Sequence, residues 1–191
     1  MKIIVRSALF VFMSLAVTHS VLADSKLKPE LGMSLVISPD YNDTLKESYP
    51  NTSVSGIGGF LGLHLGLRYR PAEHIILTPR IGLIFNYVTS VGGADSFVNT
   101  IVQPSMSAKL LFAKGPSFYI EGVVSHNTVD TGSDAFEVEG GVGYAAFLGY
   151  QWDGGFDVGL GYSVIPTEVT NRKGVEDKNF GGVEFKFTGS F

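Results

Sequence analysis

The chain has 191 residues, no cysteine, and 18 acidic against 14 basic side chains, for a formal charge of −4. That length suits one domain, and without cysteine neither disulfides nor thiol chemistry can contribute. No basic excess offers the electrostatic footprint of a nucleic-acid binder.

The N-terminus reads as an export signal. Lys2 and Arg6 form a short basic region, and Ile3 to Val17 is largely apolar with Ser7 and Ser14 interrupting it. Val21 and Ala23 stand at −3 and −1 of a cleavage site before Asp24. Residues 1–23 are therefore expected to be a signal peptide, and residues 24–191 the mature domain. A transmembrane helix needs about 20 apolar residues, and no later segment supplies them.

Eight alternating runs follow. The first sets Leu31, Met33, Leu35 and Ile37 against Glu30, Gly32 and Ser34. The second is the most regular: Ile57 to Tyr69 on odd numbers, against Gly58, Phe60, Gly62, His64, Gly66, Arg68 and Arg70. The third sets Ile75, Leu77, Ile81, Leu83, Phe85 and Tyr87 against Thr78, Arg80, Gly82 and Asn86. In the fourth the apolar phase moves to even numbers, with Val102, Met106, Ala108, Leu110 and Phe112 opposite Gln103, Ser105, Ser107 and Lys109. The fifth sets Phe118, Ile120 and Val124 against Tyr119, Glu121 and Ser125. The sixth runs from Phe136 and Val138 to Tyr150, with Glu137, Glu139, Gly141, Gly143 and Gly149 on the other face. The seventh sets Phe156, Val158, Leu160, Tyr162 and Val164 against Asp157, Gly159, Gly161 and Ser163. The eighth has Val183, Phe185, Phe187 and Phe191 opposite Glu184, Lys186, Thr188 and Ser190. Period-2 alternation of this kind marks strands with one apolar and one polar face. No helical stripe of useful length follows the signal segment, and Pro79 and Pro104 fall inside runs, where bulges are expected.

Connections alternate in length. Arg70–His74, Ala113–Ser117 and Gln151–Gly155 are short and turn-like, whereas 38–56, 90–99, 125–135 and 165–179 are longer and polar. Beside the short turns, the apolar faces end on Tyr69, Phe112, Phe118, Tyr150, Phe156 and Phe191, all aromatic. Aromatics gathered at one rim match a membrane-interface girdle. A soluble ligand-carrying barrel with its apolar face inward would explain the alternation, but not that rim.

The polar face is then the interior. It carries Glu30, Arg68, Arg70, Arg80, Lys109, Glu121, Glu137, Glu139, Asp157, Glu184 and Lys186. Buried charges must pair. Lys109 and Glu121 face each other across the Ala113–Ser117 turn, and Glu30 lies within reach of Arg68 or Arg70. A structural plug is the plain reading of these charges, and a gated path for protons or small ions the sharper one. No Gly-rich loop stands in the strand-to-helix context that phosphate binding requires, and no histidines show metal-ligand spacing. No cofactor is expected.

With its final aromatic, the last run resembles the closing strand of the outer-membrane β-barrel proteins of Gram-negative bacteria. In that family this strand is read by the assembly machinery. The whole of residues 30–191 resembles the small OmpA/OmpX-type barrels, on topology and the terminal strand rather than on a loop motif. The resemblance implies an all-β, eight-stranded, antiparallel up-and-down transmembrane barrel in the outer membrane, contacting outer-membrane lipid and lipopolysaccharide. Its implied role is structural or surface-interacting: adhesion, envelope integrity or host-factor binding through extracellular loops, where Tyr41, Tyr49 and Phe97 are candidate anchors. The alternatives are a narrow channel for solutes or ions and, more remotely, a lipid A-modifying enzyme. Barrel-type lipid A deacylases carry His-x-Ser and a Glu facing the bilayer. Ser125-His126-Asn127-Thr128 followed by Glu137 and Glu139 is faintly similar, but has Thr for Ser and places both Glu inward. No enzyme activity is expected.

Overall fold

A computed structural model describes residues 26–48, 53–56, 59–91, 97–132, 137–171 and 174–191. Residues 1–23, where a signal peptide is expected, Tyr49, Phe136, and the side chains of Tyr87 and Phe97 lie outside what is described. The elements in order are β1 (Leu27–Ile37), α1 (Pro39–Ser48), β2 (Ser53–Gly56), β3 (Gly59–Ala72), β4 (Ile75–Val91), β5 (Phe97–Leu111) and β6 (Ser117–His126). There follow β7 (Thr128–Thr131), β8 (Glu137–Gly140), β9 (Val142–Gln151), β10 (Asp157–Val164), β11 (Pro166–Asn171), β12 (Gly174–Asn179) and β13 (Gly182–Ser190).

Eight antiparallel strands close on themselves in the order β4-β3-β1-β13-β10-β9-β6-β5, with β5 returning to β4. The closing contact of the chain ends is β1 on β13, in register from Glu30 opposite Ser190 to Ile37 opposite Val183. All eight strands hold the alternation of the sequence. Met33, Leu63, Leu83, Met106, Ile120, Leu148, Leu160 and Phe185 face outward, while Ser34, Arg80, Lys109, Glu121, Asp157 and Lys186 are buried inside. Soluble monomers rarely expose apolar patches above a few hundred Å²; here the apolar face runs round the wall. The three short turns lie together at one end, and two need glycine: Gly115 and Gly155 sit at φ 76° and 78°, a region costly for other residues.

The two prolines are accommodated without a bulge at either. Pairing of β3 with β4 skips Leu67 and Arg68, the residues that would face Pro79 and Thr78, and resumes at Tyr69 opposite Leu77. Pro104 lies where β5 passes from β6 to β7, between Ser105 opposite Ser125 and Val102 opposite Thr128. Each proline thus falls where the ladder asks for no N–H. The irregularity in this hairpin is instead a register shift between Tyr69 and Ala72.

Two of the long connections are not loops. β11 and β12 prolong β10 and β13 as a hairpin, from Pro166 opposite Asn179 to Asn171 opposite Gly174. β7 prolongs β6 against β5, and β8 pairs with β11. One side of the wall therefore rises beyond the barrel. At Gly140 and Gly141 the facing changes: on β9 the even residues Val142, Tyr144 and Leu148 are exposed, but on β8 Val138 is buried and Glu137 and Glu139 are exposed. One residue of slip at a glycine pair reverses every later side chain.

The segment after β1 also departs from expectation, because it contains a helix. Ser38 caps it, accepting the Tyr41 N–H at 3.4 Å, and Pro39 takes the first helical position, both favourable there. Tyr41, Thr44 and Leu45, at i, i+3 and i+4, are buried. They drop into the end of the barrel opposite the short turns, against Phe60, Ile84, Ile101, Ile165, Val169 and Phe180. The Tyr41 ring packs 4.6 Å from Phe60 and 5.1 Å from Phe180, and its hydroxyl donates to Asn86 at 3.3 Å while accepting from Asn99. Asp40 accepts the Asn179 N–H at 3.0 Å, fastening the helix to β12. Nearby, Lys178 lies 3.6 Å from Glu47 and 3.0 Å from Glu176, and its bond to Glu176 holds it above the ordinary lysine value. Tyr41 is thus a core residue and not a partner's anchor. Tyr41→Ala should cost about 3–5 kcal/mol, the range for a large buried aromatic, and free α1 locally. Amide exchange across residues 39–48 checks this: rates equal to those of the parent would show that Tyr41 does not hold the helix.

Candidate functional site

The lumen holds a closed ring of alternating charge. Arg68 donates to Glu30 through Nη2 at 2.6 Å and Nε at 2.9 Å. The other oxygen of Glu30 accepts from Arg80 Nε at 2.5 Å. Arg80 Nη1 donates to Glu121 at 2.6 Å. Glu121 accepts from Lys186 and lies 3.9 Å from Lys109. Lys109 donates to Asp157 at 2.7 Å, and Asp157 accepts from Arg68 at 2.8 Å, completing the circuit. These side chains come from β1, β3, β4, β5, β6, β10 and β13, and none is more than 6% exposed. At such burial each charge must be met by another, and every one is.

Of the residues expected inside, Glu30, Arg68, Arg80, Lys109, Glu121 and Lys186 join this network with Asp157. Lys109 and Glu121 do stand opposite in register, yet Lys109 leans across the lumen to the nearer carboxylate of Asp157. Glu184 faces inward beside the ring, near Ser34 and Ser163. Three expected members lie elsewhere. Arg70 is exposed at the mouth beside the turns, one step of alternation beyond Arg68. Glu139 is exposed on β8, turned outward with Glu137 by the slip at Gly140 and Gly141.

Tyr119 is the participant that its place in the alternation did not single out. Its hydroxyl donates toward Asp157 Oδ1 and the Val158 carbonyl, both at 3.1 Å, and Lys109 Nζ stands 4.2 Å from its ring centroid. A methyl group on Gly149 or Gly159 would collide with this ring, so those inward glycines make room for it. The girdle residues Tyr69, Phe112, Phe118, Phe156 and Phe191 are exposed on the outer face next to the short turns. Tyr150 packs edge-on to Phe118 at 5.1 Å and to Trp152 at 4.9 Å. Trp152 joins them from a turn, outside any alternating run.

Two cavities flank the ring. Toward α1 lies one of about 30 Å³, bordered by His64, Arg80, Gln103, Glu184 and Lys186. That is room for a water molecule, and His64 Nε2 and Arg80 Nη2 have no protein partner. Beside the short turns a vestibule of about 440 Å³ opens outward, with Arg68 in its lining. Between the two, charge ring and Tyr119 fill the section. Beyond the small cavity Tyr41 and Leu45 of α1 pack into an apolar cluster at the other end.

The change of facing at Gly140 and Gly141 brings Glu137 and Glu139 to the outer side, which His126 and Thr128 also share. No hydrogen bond or ion pair joins these four among the described residues. Nor does any group of three His, Asp or Glu there have the arrangement to hold a metal ion.

No family model matches the chain, and no curated protein does. Among solved structures it is similar to an outer membrane channel from Pseudomonas putida F1, at 12% identity over 88% of this chain and 96% of that one, with a TM-score of 0.33. A likeness of that order bears on neither role nor substrate.

Proposed function

We propose that this protein is an integral outer-membrane barrel of a Gram-negative envelope, sealed through its lumen and acting through its outer surface, with no catalytic role. The observation that carries this reading is the inversion of a soluble core. The apolar residues of eight strands face out, and the lumen holds paired charge under an apolar cap. Lipid, including lipopolysaccharide in the outer leaflet, is the solvent such a wall requires, because only a closed barrel or a helix satisfies its backbone there. Strand β13, ending beside the rim aromatics, is the segment the assembly machinery would take up. The raised wall of β7, β8, β11 and β12 is the part that would meet adhesion, host or envelope partners, and Val175 on it is 61% exposed.

A narrow channel is the second reading. What favours it is a polar lumen on both sides of the ring, from the vestibule to the cavity near His64. Planar-bilayer recording separates the two. The sealed reading expects no conductance steps from the intact protein, and none after deletion of residues 39–48, because the charge ring remains. Steady conductance from the unaltered protein would install the channel instead. A thiol label at Val175→Cys should react on intact cells, since the native chain has no cysteine; labelling only after lysis would reverse the orientation. Binding of cells with and without the protein to host and envelope molecules then names the partner.

A further inference from the structure

We propose that the vestibule beside the short turns binds a phosphate group. Four cations line it: Lys26, Lys28, Arg68 and Arg70. They sit in an acidic chain, and their arrangement is costly by itself. Lys28 stands directly opposite Arg68 in the β1–β3 register. One step outward, the Arg70 N–H donates to the Lys26 carbonyl at 3.1 Å, so those two basic residues also face each other. Like charges directly opposite on neighbouring strands destabilise a sheet; Arg68 is compensated by Glu30 and Asp157, but the pair of Lys26 and Arg70 is not. Lys26, Lys28 and Arg70 form no ion pair with any described residue. Of the two lining carboxylates, Glu73 is engaged by Lys114 at 2.7 Å, which leaves Asp153 as the unpaired one.

The deepest cation is turned to the task. Arg68 meets its carboxylates through Nε and Nη2. Its Nη1 reaches only neutral acceptors, Ser190 Oγ and the Gly155 carbonyl at 3.2 Å and Gln151 at 3.4 Å. A phosphate oxyanion fits this basin: charge-assisted bonds from arginine and lysine to phosphate are short and strong. The ligand would relieve the facing Lys26 and Arg70 and give Lys28 a counter-charge.

Two sources share that chemistry. The mouth stands at the level of the aromatic rim, where phospholipid headgroups would lie on the membrane reading proposed above, and it also opens to solution. The test uses the full barrel folded in nonionic maltoside detergent. Trp152 is the sole tryptophan and lies in the turn bordering the vestibule, so its emission reports binding. One arm titrates inorganic phosphate against chloride at equal ionic strength; the other compares mixed micelles containing phosphatidylglycerol with phosphatidylcholine. Saturable change with phosphate assigns a soluble ligand, and change only with phosphatidylglycerol assigns a lipid headgroup. In either case the Lys28→Gln, Arg70→Gln double variant should weaken binding at least tenfold, and Asp153→Asn should tighten it. Because the double variant removes like-charge pairs, its ligand-free melting temperature should hold or rise, while the upward shift that ligand gives the parent should vanish. A response equal to that of chloride and phosphatidylcholine, or undiminished binding by the double variant, would overturn the proposal. None of these readouts depends on which compartment the mouth faces.

Discussion

Arg80→Ala should lower the stability of the folded barrel by about 3–5 kcal/mol, the loss expected when one partner of a buried ion pair is removed. Arg80 bridges Glu30 at 2.5 Å and Glu121 at 2.6 Å, so its removal leaves two buried carboxylates short of a partner. Urea unfolding in detergent or lipid, followed by the heat-dependent shift in gel mobility of folded barrels, measures the effect. Double-mutant cycles on the same assay distinguish the geometry of the ring from simple register. Lys109 lies 2.7 Å from Asp157 and 3.9 Å from Glu121. The coupling of Lys109→Ala with Asp157→Ala should therefore exceed that with Glu121→Ala. Equal couplings, or additive losses in both cycles, would show that the lumen is screened and that the ring contributes little.

The second large effect is expected on the other face of the wall. Leu63 is 45% exposed in the middle of β3, between Met33 on β1 and Leu83 on β4, both also outward. If that face lies in lipid, Leu63→Arg at the bilayer midplane should cost about 2–4 kcal/mol, whereas Leu63→Phe should be tolerated. Assembly in cells and unfolding in vesicles should both register the difference. In water the same arginine at an exposed site would change stability by a few tenths of a kcal/mol at most. A protein that stays in solution without detergent and accepts Leu63→Arg would therefore remove the membrane reading. The charge ring, a property of the lumen, would survive that result.

The two effects fall on opposite sides of one backbone, and the alternation of the sequence was enough to assign those sides. Strand facing is a local property: each side chain points opposite to the one before it, so the order of polar and apolar residues from Leu31 to Phe191 carries it directly. The same holds for the three tight turns and for the aromatics beside them. The resident charges of the lumen were legible too, with the exceptions of Arg70, where β3 runs past the plug, and of Glu137 and Glu139.

Three things required the folded chain. The first is the slip at Gly140 and Gly141, which turns Glu137 and Glu139 outward: alternation assumes an unbroken count, and a glycine pair interrupts it without altering the pattern of residue types. The second is α1. Ser38 and Pro39 begin it, but Tyr41, Thr44 and Leu45 make a buried face of only three residues, and ten residues are too few to be stable alone. Only the open end of the barrel supplies the apolar surroundings that hold them. The third is the choice of ion partners. Sequence places Lys109 opposite Glu121 because those residues share a hairpin, while Asp157 comes from a strand not adjacent to β5 in the sheet. Closing eight strands brings that carboxylate across a lumen narrow enough for a lysine to span, and distance through the lumen, not position along the chain, decides the pair.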